Sequence, residues 1–425
     1  MNTLSSQTKK SKHINFNFTM LLFSAFLFLS SLNFANKYFY FLFLCFATLF
    51  VLGVRTININ GGVIALLGIS LSYLVFYPDS AYSITGVLKQ FVYPLAYLCG
   101  LNCLKLFADR AQGNQKQKME KGFLILCYVI AMGIFVHVFL NLYTNQGLND
   151  REIIDYWGGA SSATCNAAMF CFGIGMIPAL LLNKSGRFGK LFSIVSLIIF
   201  TLFALVLAGR TFFFLFLIVF VFTVLFSAYR DKNFGKALRV MLIVAVISII
   251  MVVLYQVNLF GLKELFESSN FYNRFFGEWG IEFFEDGRME RKIMYLKNMF
   301  DVENMFGGGN LRSAANDKYA HELYLDLLSD AGIFAYLIVI YFVVSRTYRA
   351  VKLAANENSG YSRLFSAIVF GLFFSLNIEF LIEPIIQGVP WLFPTFCILS
   401  GMIDYMILKK DTTGKEFTYE NPMGL

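Results

Sequence analysis

The sequence predicts an all-α polytopic membrane protein with about twelve transmembrane helices, both termini in the cytoplasm, and one large loop. The first observation is composition, because 57% of the 425 residues are hydrophobic and 15% are charged, whereas soluble domains have about 25% charged residues. The second is a series of apolar runs long enough to span a bilayer. The third is the alternation of lysine and arginine between connections. This composition excludes a disordered chain, a disulfide scaffold and a soluble nucleic-acid-binding protein.

Twelve segments meet the length of about 20 mostly apolar residues that a transmembrane helix needs. They are residues 16–32, 38–54, 62–77, 84–107, 123–142, 161–182, 191–208, 211–229, 237–256, 322–345, 361–382 and 385–408. The apolar run 191–229 is too long for one span, since a helix rises about 1.5 Å per residue. We therefore predict two helices joined by a very tight turn at Gly209-Arg210.

Lysine and arginine determine the predicted orientation. Twenty-three of them fall in the termini and in alternate connections, and the short loops on the other side hold only Lys37, Arg151 and Arg210. Since cytoplasmic loops carry an excess of positive residues, both termini are predicted to be cytoplasmic. The net charge of +8 is thus mostly an orientation signal. The predicted division is spans one to nine (1–256), a large outer loop (257–321), spans ten to twelve (322–408) and a cytoplasmic tail (409–425).

The long loop 257–321 is the predicted functional region. Loops longer than about 15 residues are usually functional or disordered, and this one is too rich in aromatic residues for a disordered linker. These aromatic residues are Phe271, Tyr272, Phe275, Phe276, Trp279, Phe283, Phe284 and Tyr295. We expect the loop to fold onto the membrane surface as short helices.

A basic helix is predicted inside this loop, over residues 287–299. Arg288, Arg291, Lys292 and Tyr295 recur at helical spacing, so three cations and a phenol share one face. An arginine fork matches the oxygens of a phosphate group, which makes this face a candidate substrate-binding surface. The alternative is a solvated basic face or a contact with lipid headgroups. The glycines at 307–309 follow as a turn, without the lysine and hydroxyl residue of a nucleotide-binding loop.

Arg210 and His321 are candidate catalytic residues. Arg210 lies at the end of an apolar stretch, where an ionisable residue is a functional-site hypothesis, although snorkelling to headgroups is the alternative. His321 lies where the loop meets the tenth span, and imidazole accepts a proton near neutral pH without special tuning. It could instead merely cap the helix. His137, inside a span, is expected to pack with a local hydrogen bond.

Glu379 and Glu383 lie four residues apart near the outer end of the eleventh span, so they share one helical face. They could form a structural ion pair with Arg210 or with the loop arginines. They could also bind sugar hydroxyls, which makes them candidate substrate-binding residues.

The outer face of a cytoplasmic membrane has no ATP and no nucleotide-activated sugars, so a donor there must bring its own leaving group. A lipid-linked diphosphate does so, and it needs cations because negative charge accumulates on the departing phosphate. Arg210 and Arg288 suit that role. His321 suits the general base that an acceptor hydroxyl needs. No cofactor is expected. A metal-independent reaction is favoured, although Glu322, Asp326 and Asp330 leave a divalent metal open.

Three segments of the chain resemble the bacterial superfamily of O-antigen polymerases and O-antigen ligases. They are AGRT at 208–211, GRMERKIMYLKNMFDVENMFGGGN at 287–310 and AHELYLDLLSDAGIFAY at 320–336. The segment IEPIIQGVPWLF at 382–393 looks more like the polymerase and capsule-polymerase branch than the ligase branch. Many members have Asn after the histidine, where this chain has Glu322.

The resemblance implies a GT-C-like glycosyltransferase in the bacterial inner membrane, with its active site facing the periplasm. Arginines would grip an undecaprenyl-diphosphate-linked oligosaccharide donor, and His321 would activate an acceptor of the same class. Other implied partners are membrane lipids and a chain-length regulator, with no nucleic acid. The expected activity is surface-polysaccharide polymerisation. Two alternatives remain: a ligase that transfers the glycan to lipid A core, and a lipid-linked oligosaccharide flippase.

Overall fold

The structure is a computed structural model, in which about 84% of the described residues are helical, consistent with the predicted all-α membrane protein. It describes residues 21–34, 59–76, 90–108, 115–145, 152–207, 209–269, 271–272, 276, 287–316, 318–389 and 391–412. The predicted span 38–54 lies outside the described residues, as do residues 413–425 of the predicted tail and most of the aromatic stretch 273–286. The number of spans and the orientation of the chain therefore stay predictions.

The described helices follow the predicted order of apolar runs. In chain order they are α1 (Leu21–Ser31), α2 (Gly61–Phe76), α3 (Val92–Ala108), α4 (Gln115–Thr144), α5 (Ala163–Leu182), α6 (Gly186–Val206), α7 (Arg210–Arg230), α8 (Phe234–Gln256), α9 (Leu262–Glu267), α10 (Arg288–Asn298), α11 (Val302–Met305), α12 (Asn310–Ala314), α13 (Leu323–Ala355), α14 (Arg363–Ile382), α15 (Ile385–Gly388) and α16 (Leu392–Thr412). Short 3₁₀ turns at Leu259–Gly261 and Glu357–Ser359 join some of them.

Six of the described helices, α4, α6, α7, α8, α13 and α14, are long and apolar enough to cross a membrane. The predicted break in the run 191–229 is present, because α6 ends at Val206 and α7 begins at Arg210. The last predicted span differs from the structure. Its first residues form the separate short helix α15, and α16 begins only at Leu392.

Helix α13 is longer than predicted and is broken. It has 33 residues, and at about 1.5 Å per residue the part after Gly332 is by itself about as long as the hydrocarbon core of about 30 Å is thick. Gly332 interrupts it with φ 83° and ψ 179°, a conformation that is essentially restricted to glycine. The part of α13 before Gly332, about two and a half turns, is therefore a separate helical piece, joined at Gly332 to the part that continues along the bundle.

A two-stranded antiparallel hairpin, not predicted from the sequence, joins α4 to α5. Strands β1 (Glu152–Ile154) and β2 (Ala160–Ser162) pair in it. Asn141 of α4 binds the hairpin, because its Oδ1 accepts a hydrogen bond from the Tyr156 backbone at 2.8 Å. The Nδ2 of Asn141 lies 2.8 Å from Nε2 of His137, and Nδ1 of His137 lies 3.0 Å from the carbonyl oxygen of Leu32. His137 is thus a packed residue with local hydrogen bonds, as expected.

Small residues allow the helices to pack with their backbones close together, as is common between membrane helices. Gly100 of α3 and Gly401 of α16 each lie directly against the backbone of the partner helix. Gly175 of α5 and Gly371 of α14 make a second such contact. Helix α13 packs between α2, α14 and α16, so it is a central helix of the bundle. Helix α8 packs mainly against α7 and exposes most of its apolar side chains.

A buried ionic cluster joins four elements at the end of the bundle away from α10–α12. Asp404 of α16 accepts hydrogen bonds from the guanidinium of Arg346 and from the Tyr97 hydroxyl. Its other oxygen lies 3.1 Å from the guanidinium of Arg349. Asn60 donates to the Tyr97 hydroxyl at 3.0 Å. Asp404 is 1% exposed, so water weakens its attraction to Arg346 and Arg349 of α13 only a little.

We predict that Asp404→Asn lowers the melting temperature of the detergent-solubilised protein strongly. The substitution leaves Arg346 buried without its counter-charge, and breaking a buried pair in this way typically costs about 3–5 kcal/mol. Asp301→Asn is the matched control, because Asp301 is exposed and its side chain makes no capping hydrogen bond. Equal melting temperatures for the two variants would show that the cluster does not stabilise the bundle.

Candidate functional site

The loop helices α10, α11 and α12 all pack against α13, and this end of the bundle is called the loop end below. A small apolar core separate from the main one holds them there. Its buried members are Tyr295, Leu311, Ala315, Ala320, Leu325, Leu328 and Ile333. The described part of the loop is therefore a folded unit on the first turns of α13, in agreement with the predicted short helices.

Lys292 of α10 joins three elements at the loop end. Its Nζ lies 2.9 Å from Oε2 of Glu322, the residue immediately before α13. The same Nζ donates a hydrogen bond to the carbonyl oxygen of Leu381 at 2.8 Å, in the last turn of α14. Both side chains of the ion pair are mostly buried, with exposures of 22% and 14%. The predicted substrate-binding residue Lys292 thus already has a protein carboxylate as its partner.

A second cation of the loop, Arg312 of α12, binds Asp330 of α13. Its Nη1 lies 3.4 Å from Oδ1 of Asp330 and donates to the hydroxyl of Tyr319 at 3.2 Å. The backbone N–H of Arg312 donates to Ser329 Oγ at 3.1 Å. Tyr73 of α2 donates to the other oxygen of Asp330 at 3.5 Å. Asp330 therefore links the loop, α13 and α2.

Asp326 lies between these two acids on the same face of α13. Its Oδ1 accepts a hydrogen bond from the backbone N–H of Ala320 at 2.9 Å. This bond fixes the segment that leads from the loop into α13. Its Oδ2 is buried and accepts no hydrogen bond from the described residues. Glu322, Asp326 and Asp330 form what is called the acidic face below, and residues of the loop bind each of them.

The glycines of the loop fit into the break of α13. Gly307, Gly308 and Gly309 all have positive φ, between 73° and 81°, which glycine adopts without the usual steric cost. The backbone N–H groups of Gly308 and Gly309 donate to the carbonyl oxygens of Asp330 and Ser329 at 3.1 and 2.8 Å. A Cβ on Gly307 would lie 2.6 Å from the N of Gly332. Positive φ and the close approach of two backbones thus explain the glycine run, and no bound nucleotide is needed to explain it.

The predicted basic face of α10 points toward the bundle. Arg288, Arg291 and Lys292 are half-buried and Tyr295 is fully buried. The hydroxyl of Tyr295 donates to the carbonyl oxygen of Lys318 at 3.1 Å. Burial, together with the negative charge of Asp326, raises the pKa of Tyr295 well above its ordinary value, so the phenol stays neutral. Tyr295 is thus engaged in the loop core, where it holds α10 against α13.

Arg291 is a cation of α10 that forms no ion pair with a carboxylate among the described residues. Its Nε is buried and makes no hydrogen bond with them, and no described carboxylate lies within ion-pair distance of its guanidinium. A half-buried guanidinium with unused donors is suited to bind an anion from outside the chain. Arg288 begins the same helix on the same face, one turn away.

His321 adopts a left-handed backbone conformation with φ 61°. This is uncommon for a residue other than glycine, although asparagine, aspartate and histidine adopt it more often than others. The side chain is half-buried. The N-cap residue of α13 is Glu322 rather than His321, so capping does not explain the histidine. The Lys292–Glu322 ion pair is adjacent to it along the chain.

Glu379 and Glu383 lie at the loop end of α14, near the start of α7. Glu379 is fully buried, and neither carboxylate oxygen accepts a hydrogen bond from the described residues. Glu383 is 3% exposed, and its Oε1 accepts the Thr211 hydroxyl at 3.5 Å. The backbone of Arg210, the residue before Thr211, therefore lies near this pair. The side chain of Arg210 lies outside the described part of the structure.

The structure thus brings four predicted elements to one place: α10, the His321 segment, the carboxylates of α14 and the start of α7. Sequence reasoning missed the pairing of Arg312 with Asp330. The signal was present, because acids at 322, 326 and 330 are spaced by four residues and so share a helical face. Among the described residues, no group of three or more histidine, cysteine, aspartate or glutamate side chains is arranged to hold a metal ion.

The chain matches no model of a known protein family and no curated protein sequence. Its function must therefore be argued from the chemistry of the loop end. The groups available there are the guanidinium of Arg291 on α10 and His321, which precedes the ion-paired Glu322. The buried carboxylates Glu379 and Glu383 lie beside the start of α7.

We predict that Lys292→Met loosens the loop end. The substitution keeps the length of the side chain but leaves Glu322 mostly buried without its cation, at a cost of about 1–3 kcal/mol. The melting temperature in detergent should fall. Lys297→Met is the matched control, since Lys297 is exposed on the same helix. The exchange Lys292→Glu with Glu322→Lys should restore part of the loss. A melting temperature for Lys292→Met equal to that of Lys297→Met would contradict the structural role of the pair.

Proposed function

We propose that the chain is a membrane glycosyltransferase that polymerises a surface polysaccharide. It would transfer a growing glycan from undecaprenyl diphosphate to the sugar end of a second lipid-linked repeat unit, at the periplasmic face of the inner membrane. The proposal rests on the two contacts of Lys292, with Glu322 and with the carbonyl oxygen of Leu381. The first contact lies next to His321 in the chain, and the second lies between Glu379 and Glu383. The cations of α10, His321 and the carboxylates of α14 thus lie at the end of the bundle where we expect a lipid-linked substrate to bind.

In the proposed reaction the acceptor hydroxyl attacks the anomeric carbon of the donor glycan. A new C–O bond forms there, and the bond between that carbon and the diphosphate oxygen breaks. The leaving group is undecaprenyl diphosphate, and the proton of the hydroxyl passes to His321. Positioned general bases of this kind typically contribute about 10²–10⁴-fold to the rate.

The cations would act on the leaving group, because the diphosphate gains negative charge in the transition state. Arg288 and Arg210 are the proposed catalytic arginines, and Arg291 is added to them because its Nε has no partner among the described residues. Lys292 and Tyr295 are instead assigned to holding α10 in place. Glu383 and Glu379 are proposed to orient the sugar hydroxyls of the acceptor.

The direct test gives the purified protein its lipid-diphosphate repeat unit and no other acceptor. A ladder of products is the result expected of a polymerase. Product only after lipid A core is added would replace the polymerase with a ligase. No product with either acceptor, with a repeat unit of confirmed structure, would contradict glycosyl transfer and favour a flippase.

Arg288→Ala should abolish transfer while the protein still inserts and melts normally. Removing one group that stabilises developing charge typically lowers kcat by about 10²–10³-fold. Lys263→Ala provides the control, since Lys263 is an exposed cation of the same loop and lies on α9. Full-length polymer made by the Arg288 variant would remove this residue from the mechanism.

The variant His321→Asn removes the imidazole but keeps a residue that tolerates the left-handed backbone conformation of position 321. Asparagine tolerates positive φ, so the melting temperature should stay close to that of the unchanged protein. An amide cannot take a proton near neutral pH, so ladder formation should slow by about 10²–10⁴-fold. His321→Ala should lose activity and also some stability. Undiminished ladder formation by His321→Asn would show that another group is the base.

A further inference from the structure

Helix α10 carries an apolar stripe on its exposed side. Met289, Ile293, Leu296 and Phe300 recur at spacings of four, three and four residues, so they lie on one side of the helix and its first following turn. Their exposed fractions are 70%, 43%, 46% and 68%. This stripe is separate from the basic face, which points toward the bundle. Val302 and Phe306, which follow it in the chain, are also exposed.

The level of α10 along the bundle is defined by Lys292. Its ammonium group touches Glu322, just before α13, and the carbonyl oxygen of Leu381, in the last turn of α14. Both helices are long and apolar enough to cross a membrane. Through Leu381, helix α10 therefore lies at the level where the candidate span α14 ends, and the ends of spans lie near the lipid headgroups.

The two helices that Lys292 contacts also expose apolar side chains at the loop end. Leu381, whose carbonyl binds Lys292, has a side chain that is 52% exposed, and Phe334 on α13 is 56% exposed. In a membrane-spanning bundle such side chains contact acyl chains. Glu290 and Lys297 of α10 are exposed on the side next to the stripe, so the outward part of the helix is divided into an apolar half and a charged half.

We infer that α10 is an interfacial helix whose apolar stripe is embedded in the bilayer at the loop end. Helices of this kind lie in the plane of the interface, with the apolar face buried about 5–10 Å into the boundary between headgroups and acyl chains. One side of α10 thus binds the bundle through Tyr295 and Lys292, and a second side binds lipid. The helix would fix the depth of Arg288 and Arg291 relative to the headgroups.

The test places single cysteines at 293, 296, 290 or 297 in a background in which the seven native cysteines are replaced by alanine. Each variant carries an environment-sensitive fluorophore and is reconstituted into vesicles of phosphatidylcholine and phosphatidylglycerol. Brominated acyl chains should quench the labels at 293 and 296, and aqueous iodide should quench those at 290 and 297. The melting temperature of each labelled protein checks that it is folded.

Labels at 293 and 296 that iodide reaches as readily as label 297 would overturn the inference. Labels at 293 and 296 that neither quencher reaches would also overturn it, because they would indicate that protein covers the stripe. The measurement needs no substrate, so it succeeds or fails independently of the proposed glycosyl transfer.

Discussion

Glu322, Asp326 and Asp330 lie one helical turn apart at the loop end of α13, and residues of the loop bind all three. Lys292 and Arg312 supply the cations for the outer two acids, and the backbone of Ala320 binds the middle one. Without Lys292 and Arg312, Glu322 and Asp330 would be mostly buried carboxylates without a counter-charge, which is strongly unfavourable. The acidic face therefore requires the loop, and the loop takes its position from the acidic face. The positions of α10 and of the His321 segment depend on this docking.

The break at Gly332 makes the docking geometrically possible. It frees the carbonyl groups of Ser329 and Asp330 from continuous helix, and the N–H groups of Gly308 and Gly309 bind them. Side chains larger than hydrogen would separate the two backbones at Gly307 and Gly332. The same docking brings α10 to the end of α14, near Glu383, and holds the left-handed turn at His321. Glu322, the glutamate directly after the histidine, is the partner of Lys292.

Much of this architecture is readable from the sequence, because helix periodicity and apolar length directly determine where spans form. The break before Arg210 and the shared face of Arg288, Arg291, Lys292 and Tyr295 were predicted on those grounds. The direction in which that face points could not be predicted from the sequence. The groups that Lys292 binds, Glu322 and the carbonyl oxygen of Leu381, are distant from it in the chain. The extension of α13 past residue 345 was missed for another reason: arginines marked the end of the apolar run, while Asp404 stabilises Arg346 inside the bundle.

Amide hydrogen exchange can show whether the acidic face docks the loop. The measurement compares the unchanged protein with the variant Glu322→Gln plus Asp330→Asn, in the same detergent. If the acidic face does dock the loop, exchange at 289–298 and 310–315 is faster in the variant, with unchanged protection in α5 and in α14 before residue 378. Equal protection of the loop helices in the two proteins would contradict it, because the loop would then be held by its apolar core alone.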